Sequence, residues 1–404
     1  MMNKKEINEI KSLYDTIEDC GIARLCGCYV NGDKEKVKVF NESFFDLEEK
    51  EQHKYLEIFR KNMSGTLGKN LIELTFVNQD NVNPDFGKGM LNAIKKSELK
   101  DDSLLDRFYD GIIKTYNYVG NYLILLIYQA YDVPGMTDDN IEMNDASEEV
   151  YSYVLCSICP MKLTKPGLGY DDKLDMIHTL KQSFQVELPD TGFIFPAFNE
   201  RSSDDTQLMY YTRKADDLQD KLLDEMLAVS APLPAKHQKE GFNTFVEQVL
   251  GEDTTIETMI AMQENFTELV KEKKEFSDSP TVVLDKDTVR EVFIKSGVEE
   301  SKLEVFDKKF DQQFDMEHYA KRTRVVMDED ENQEPLIIPK LKVEPTILAE
   351  NVLPTRNIEV KGKDLLLRIN TKNMDMIDIN NSDGKKYLVI ELPEDVKVNG
   401  ISVS

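Results

Sequence analysis

The sequence predicts an α+β protein with an N-terminal mixed α/β sheet domain, a helical middle region and a small C-terminal antiparallel β module. Three observations predict this class. Residues 1–205 mix short apolar runs with helical patterns, and residues 206–315 carry apolar residues at three- and four-residue spacing. Residues 355–404 return to short runs between turn residues. A chain of 404 residues is also longer than the chains that usually fold around a single hydrophobic core, so several domains are expected.

The first elements of the N-terminal domain are a helix and a hairpin. Apolar residues recur at helical spacing within residues 4–13, which predicts an amphipathic helix. The apolar-rich segments 22–30 and 35–40 flank Asn31-Gly32. Since Asn and Gly tolerate a positive φ, this pair predicts a two-residue hairpin turn.

The rest of the domain alternates helices with strands. Asp46 is predicted to start a second helix with Glu49 as its capping-box partner, and Ser64-Gly65 to end it. Further helices are predicted over 88–99 and 103–117, and strands over 71–77, 122–131, 150–158, 185–188 and 193–198.

The middle and the C-terminal part differ in composition. A strand over 208–212 is followed by helical patterns over 215–228, 235–250, 255–275, 286–296 and 300–314, with Gly251 and Gly297 at C-cap positions. Residues 316–354 are acidic and proline-rich, which predicts a linker. In the β module, strands are predicted over 358–360, 365–369, 376–379 and 387–392.

The charge of the chain indicates what it binds. The net charge is −26 and the acidic residues concentrate in the middle of the chain, while the first hundred residues are nearly neutral. A field of this sign repels DNA and anionic membranes and favours basic partners. We therefore expect a protein or ribonucleoprotein partner, no direct coating of DNA and no membrane association. The oligomeric state is left open.

Location and redox state follow from the same sequence. The N-terminal segment lacks the apolar region of a signal peptide, and the apolar run 122–128 is too short to span a bilayer. The chain has five cysteines, an odd number. Together these features predict a cytoplasmic protein with reduced thiols.

Four of the cysteines are considered as zinc ligands. Cys26 and Cys28, with Cys156 and Cys159, could supply the four thiolates of a structural zinc site. However, Cys156 and Cys159 stand three residues apart on a predicted strand and so point to opposite faces. The favoured interpretation is that all four are buried, reduced side chains, with no metal and no cofactor.

A glycine-containing loop is the second candidate. In Ser64-Gly-Thr-Leu-Gly-Lys69-Asn70 the glycines lack the spacing of a phosphate loop, and the loop follows a helix instead of preceding one. A helix C-cap and connection is the favoured interpretation. If the loop binds a ligand, Arg60, Lys61 and Lys69 would make it an anion contact.

The third candidate site is a group of polar residues at the end of a strand. An apolar strand leads directly into Asn199, Glu200 and Arg201, followed by Asp204 and Asp205. Polar groups at the end of a buried strand often form sites, and an arginine can hold a carboxylate or phosphate in a bidentate manner. The alternative is a solvated, salt-bridged connection between domains.

Function remains divided between two classes. The sequence contains no nucleophile-elbow, metalloprotease or dinucleotide-binding pattern. This favours a non-enzymatic binding or regulatory protein that contacts a macromolecular partner in the nucleoid, in transcription or in translation. The alternative is an enzyme of unknown class with its site near 199–205.

Several segments resemble one family along nearly the whole chain: MNKKEINEIK, CGCYV, YLEIFRKNMSGTLGKNL, YVGNYLILLIYQAYDVPG, YVLCSICPMKL, FIFPAFNERSSD, ILAENV and VKVNGISV. They resemble domain of unknown function 4317, a family found in clostridia and their relatives. The family has no established activity, so the resemblance implies no catalytic residues. The order of parts is also similar to that of bacterial nucleoid-associated proteins.

Overall fold

The computed structural model describes most of the chain in two units. The first unit contains the described residues up to Lys236, and the second contains those from His237 onward. The described residues are 2–136, 142–171, 175–180, 182–230, 233–251, 254–275, 281–314, 347–353, 357–363, 365–370, 376–382, 384–391, 397–398 and 401–402.

The first unit is built from four helices and twelve strands in the part of the chain that is described. The helices are α1 (Lys4–Ser12), α2 (Glu49–Asn62), α3 (Gly87–Ser97) and α4 (Asp102–Thr115). The strands are β1 (Arg24–Val30), β2 (Lys36–Ser43), β3 (Leu71–Thr75), β4 (Asn121–Met136), β5 (Glu142–Leu163), β6 (Gly167–Asp171), β7 (Met176–Leu180), β8 (Phe184–Val186), β9 (Thr191–Phe195), β10 (Ala197–Asn199), β11 (Ser202–Asp204) and β12 (Gln207–Thr212).

An antiparallel sheet organises this unit. Its strand order is β2-β1-β4-β5-β9-β12-β3, and β8 pairs with the end of β5. Two hairpins, β6–β7 and β10–β11, stand apart from the sheet. Because β12 pairs with both β9 and β3, the strand that follows the predicted 205 boundary is part of the first unit.

The two faces of the sheet carry separate cores. On β4, Tyr122, Ile124 and Leu126 belong to the core under α3 and α4. Leu123 and Leu125 belong to the core on the other face, under α1 and α2. Alternate side chains of a strand point to opposite faces, so a strand covered by helices on both faces reads as a continuous apolar run. The helix–sheet–helix layering confirms the α+β class.

The predicted hairpin exists, but its turn differs. β1 and β2 pair antiparallel from Arg24↔Ser43 to Val30↔Lys36, so five residues connect them. The positive φ of 63° falls at Lys34 and not at the Asn-Gly pair. The Asn31 side chain instead accepts hydrogen bonds from two backbone amides in the loop, at Asp33 and Glu35. An Asx turn therefore replaces the expected two-residue turn.

Two predicted helices were wrong in extent. A 3₁₀ turn occupies Phe44–Asp46, and α2 begins at Glu49 with no side-chain cap, so Asp46 and Glu49 do not form a capping box. In place of a helix over 215–228, the chain forms a short π-helical turn at Leu222–Leu227. Four of its side chains pack into the core under α3 and α4, and this packing overrides the local helical preference.

The second unit begins with helices. Within the described residues these are α5 (Ala235–Leu250), α6 (Ile256–Glu275), α7 (Lys286–Lys295), α8 (Glu300–Phe314) and the short α9 (Ala349–Val352). All but α9 match the predicted helices to within two residues. Gly251 and Gly297 have positive φ values of 58° and 81°, as expected after helix ends. No helix among the described residues of the protein is both long and apolar enough to cross a bilayer.

Phenylalanine side chains form the centre of this unit. The Phe245 ring is fully buried and lies 5.1 Å from the ring of Phe306 and 5.4 Å from that of Phe310. Phe293 and Phe314 complete the contacts around it. The apolar spacing that predicted α5, α7 and α8 thus converges on one aromatic core.

The predicted linker lies mostly outside the described residues. At its end, residues 347–353 are described and are packed into the unit. The strand β14 (Ile347–Leu348) pairs with β13 (Val283–Leu284), and Gln238 accepts a hydrogen bond from the Leu348 amide. This part of the predicted linker is therefore ordered core structure.

The C-terminal β module consists of antiparallel pairs. The strands are β15 (Asn357–Lys361), β16 (Leu366–Asn370), β17 (Ile377–Ser382), β18 (Lys385–Ile390), β19 (Lys397–Val398) and β20 (Ile401–Ser402). β15 pairs with β16, β17 with β18 and β19 with β20. Neighbouring strands therefore pair antiparallel, as predicted for a small antiparallel β module.

Candidate functional site

The predicted polar site lies on the β10–β11 hairpin. Asn199 pairs with Ser202, so Glu200 and Arg201 form a two-residue turn, and both have positive φ values, 51° and 56°. This is the geometry of a type I′ turn, which usually contains Asn or Gly. The turn directs Arg201 toward the N-terminal helix α1.

The polar groups of this hairpin bind one another and α1. The Arg201 guanidinium donates to the Glu9 carboxylate through Nη2 at 2.9 Å and through Nε at 3.2 Å. Tyr131 Oη donates to the same carboxylate at 2.9 Å. Both charged side chains are about four-fifths buried. This bidentate pair therefore fastens α1 to the hairpin.

A second network surrounds Asn199. Its Nδ2 lies 2.5 Å from Glu73 Oε1, 2.8 Å from Asp204 Oδ2 and 3.0 Å from Gln207 Oε1. Burial raises the pKa of Glu73 above its ordinary value, although the Asn199 hydrogen bond opposes this. Burial would also raise the pKa of Asp204, but hydrogen bonds from Thr206 and Asn199 outweigh it and lower this pKa.

The five predicted residues thus divide among different contacts. Asn199 and Asp204 meet in one network, Arg201 turns to Glu9, and Asp205 pairs with Lys88 at 3.3 Å. Glu200 occupies the turn and is exposed. Glu73 and Glu9, which sequence reasoning missed, lie far away in the chain. The charges of Arg201, Asp204 and Asp205 are engaged in intramolecular bonds that join the hairpin to other elements.

The predicted anion contact lies around the loop after α2. The loop amides at position 66 and at positions 68–71 donate to oxygen atoms of the protein, mostly the carbonyl of Thr66. Arg60 pairs with Asp15 at 3.0 Å. Lys61 and Lys69 are half-buried at the C-terminal end of α2 and in the loop. The carbonyl end of a helix disfavours anions, so the backbone here provides no phosphate cradle.

The four cysteines considered for zinc are divided between the two faces of the sheet. Cys26, Cys28 and Cys156 belong to the core under α3 and α4, while Cys159 belongs to the opposite core. Cys26 and Cys156 are both paired with Leu126 of β4, so one strand separates them. Strands lie about 4.8 Å apart, which places their backbones about 10 Å from each other.

The four thiols are therefore too far apart to surround one zinc ion tetrahedrally. Among the described residues, no group of three or more His, Cys, Asp and Glu side chains is arranged to hold a metal ion. Burial raises the pKa of Cys26 and of Cys28 to about 11. Protonated thiols are poor ligands and poor nucleophiles, as expected for cysteines that act as small apolar side chains.

The thiols should therefore be unreactive in the native protein. We expect none of the five cysteines to react with a thiol reagent at pH 8, and all five to react after denaturation. An unfolded thiol ionises near pH 9, whereas native Cys26 and Cys28 keep their protons to about pH 11. Stability should fall as pH rises through this window. Rapid labelling at pH 8 of the native protein would contradict the buried assignment.

An open groove lies on the α1–α2 face of the sheet. It has a volume of about 1390 Å³ and lies between α2, with the 3₁₀ turn before it, and the paired ends of β5 and β8. Leu163 and Leu188 line it and are 49% and 37% exposed, values high enough to leave apolar surface for a partner. None of the five residues predicted around position 199 lines this groove.

The groove carries charges of both signs. Lys54, Lys162 and Arg213 line it, and their ion-pair partners are Glu57 at 3.1 Å, Glu187 at 2.6 Å and Asp190 at 2.5 Å, respectively. Other carboxylates line the wall formed by β2 and α2: Glu42, Asp46 and Glu51. Burial and the charges of Glu42 and Glu51 raise the pKa of Tyr55. Lys50 also lines this wall, where four carboxylates, including that of Glu57, outnumber the two lysines.

The fold and these surfaces define a two-unit α+β protein with a polar network on the β10–β11 hairpin and an open groove lined by apolar side chains and charges of both signs. The chain belongs to the family described as domain of unknown function (DUF4317), whose model matches residues 2–345 and 340–401. Neither a curated protein nor a solved structure matches the chain.

Proposed function

We propose that this protein is a non-enzymatic binding protein of the cytoplasm whose groove receives a basic, amphipathic segment of a protein partner. The single observation that carries this proposal is the groove itself, where exposed Leu163 and Leu188 lie opposite the carboxylates of Asp46 and Glu51. A segment with apolar side chains on one face and lysine or arginine on the other complements such a surface.

The charge of the whole molecule supports the same partner. A net charge of −26 attracts basic proteins and repels the phosphate backbone of DNA. The partner therefore reaches the groove as a protein, either alone or in a ribonucleoprotein of the nucleoid, transcription or translation machinery. The five buried, unbridged cysteines accord with a reducing compartment.

A site-specific crosslink tests the proposal. A photo-crosslinking side chain at Leu163 should capture a basic protein in cells, whereas the same side chain at Val119, which is 96% exposed outside the groove, should not. Capture should be lost when Asp46→Asn and Glu51→Gln remove two groove carboxylates. It should also weaken with rising salt, because screening weakens charge attraction.

Nuclease treatment separates the two forms of the partner. A protein partner survives it, while a ribonucleoprotein loses its RNA-dependent components. Equal capture at both crosslinker positions would contradict the proposal. Capture that does not change in the Asp46→Asn, Glu51→Gln variant would also contradict it.

A further inference from the structure

The strand β2 forms one rim of the large sheet and is paired on one side. Among the described strands it pairs with β1, and it is the first in the strand order. It is eight residues long and contains no proline, and Val37 and Val39 are 53% and 46% exposed. The register with β1 shifts between Lys38 and Lys36, so the regular part of β2 runs from Lys38 to Ser43. An edge strand with exposed apolar side chains is a template for a further strand.

The backbone groups that face outward can be assigned from one hydrogen bond. The amide of Phe44 donates to the carbonyl of Ala23 at 3.2 Å, directly after the pair Arg24↔Ser43. In antiparallel pairs, hydrogen-bonded and non-hydrogen-bonded positions alternate. Glu42, Phe40 and Lys38 therefore point their amides and carbonyls toward β1. Val39, Asn41 and Ser43 point theirs outward.

The charges along β2 are arranged so that the strand complements itself. Lys38 and Glu42 are both exposed and lie on the same face, two positions to either side of Phe40. When a second β2 strand runs antiparallel with its Phe40 opposite the first, Lys38 of each strand faces Glu42 of the other. Val39 then faces Asn41, and both have outward backbone groups. This one register therefore places opposite charges beside each other and also aligns the outward-facing backbone groups for hydrogen bonding.

We propose that two copies of this protein pair through β2, in an antiparallel register centred on Phe40, to form a two-fold symmetric dimer with one continuous sheet. Four backbone hydrogen bonds link Val39 and Asn41 of the two chains in this register, because each hydrogen-bonded pair exchanges two bonds. Two Lys38–Glu42 pairs flank them. Such an interface is isologous and closes at two copies.

The net charge of the chain opposes dimer formation, and salt weakens this repulsion. Two molecules that each carry a charge of −26 repel over long distances. At physiological ionic strength, charges separated by more than about 8 Å are screened, while adjacent cross-strand pairs still attract. The dimer should therefore be measured near this ionic strength with the full chain.

Charge exchange tests the register. By sedimentation equilibrium, Lys38→Glu alone and Glu42→Lys alone should each raise the dimer dissociation constant about tenfold, because like charges then face each other twice. The double variant Lys38→Glu, Glu42→Lys should recover the native value. Mixing the two single variants should form a heterodimer, since their charges are complementary. Lys96→Glu, an exposed reversal on α3, should leave the dissociation constant unchanged.

Val39→Pro tests the backbone contact. It removes an amide that points away from β1, so the variant should keep its circular dichroism spectrum and become monomeric. A native protein that stays monomeric at micromolar concentration and above would overturn the proposal. A dimer that responds equally to Lys38→Glu and Lys96→Glu would overturn it as well. Glu42 also lines the groove, so Lys38→Glu and Val39→Pro, which lie outside it, distinguish failure of the dimer from failure of the groove proposal.

Discussion

Replacing Gly192 with alanine is expected to lower the free energy of unfolding of the first unit by about 3 kcal/mol, the upper end of the ordinary cost of overpacking a core. A Cβ atom at this position would lie 2.4 Å from the carbonyl oxygen of Cys156 and 2.5 Å from Asn62 Oδ1. Real Cβ atoms do not approach other atoms this closely, so the structure must shift.

The shift is costly because both neighbours are fixed. Cys156 lies in β5 and is paired with β9, the strand that carries Gly192. Asn62 is buried at the end of α2, where its Nδ2 hydrogen-bonds to the Cys156 carbonyl and to Ser157 Oγ. Added volume at Gly192 would therefore separate α2 from the sheet, or β9 from β5.

Urea unfolding followed by near-ultraviolet circular dichroism of the buried tyrosines measures this effect, and amide exchange of β9 locates it. Gly167→Ala is the matched control, because a Cβ atom there would meet no other atom within 4 Å. It should change stability by less than about 0.5 kcal/mol. Similar values for the two variants would mean that β5, β9 and α2 are not packed as described.

Phe245→Ala is expected to cost the second unit about 3–5 kcal/mol, the usual range for truncating a buried phenylalanine. The Phe245 ring is in contact with rings from α5, α7 and α8, including Phe293 at 5.8 Å and Phe314 at 5.9 Å. Removal of the ring leaves a cavity that is lined by side chains from three helices. These helices cannot all move inward to fill it, so the cavity persists.

Val305→Ala provides the control on α8, since Val305 is 45% exposed and adjacent to buried Phe306. Its effect should stay within about 0.5 kcal/mol. Hydrogen exchange of peptides from α5 to α8 distinguishes the second unit from the first, which should keep its protection in both variants. Equal protection of the helices in Phe245→Ala and Val305→Ala would contradict the aromatic core.

The local sequence pattern predicted a helix or strand correctly where the periodicity of its apolar residues matches the way the element packs. The helices α3 to α8 were predicted closely, because their apolar residues recur at helical spacing and face a core. The run of apolar residues in β4 likewise identified a strand covered on both faces. The π-helical turn at Leu222–Leu227 was missed, since apolar spacing alone does not distinguish it from an α-helix.

The candidate site was less predictable. The sequence drew attention to Asn199, Arg201 and Asp204 because they follow a buried strand, but their partners come from elsewhere in the chain. Glu9 lies 192 positions before Arg201, and Glu73 lies 126 positions before Asn199. The turn at Glu200 and Arg201 lacks the Gly or Asn that normally signals positive φ, so no local signal showed where the arginine points.

By itself the sequence determined the α+β class, most helices and strands, the acidic field and the opposite faces of Cys156 and Cys159, because periodicity and charge are local properties of the chain. Only the tertiary structure decided which residues meet across distance. It joined α1 to the hairpin through Arg201 and Glu9, shaped the groove beside α2, and placed β2 at the rim of the sheet. Strand order and side-chain pairing arise from long-range packing, which local patterns do not encode.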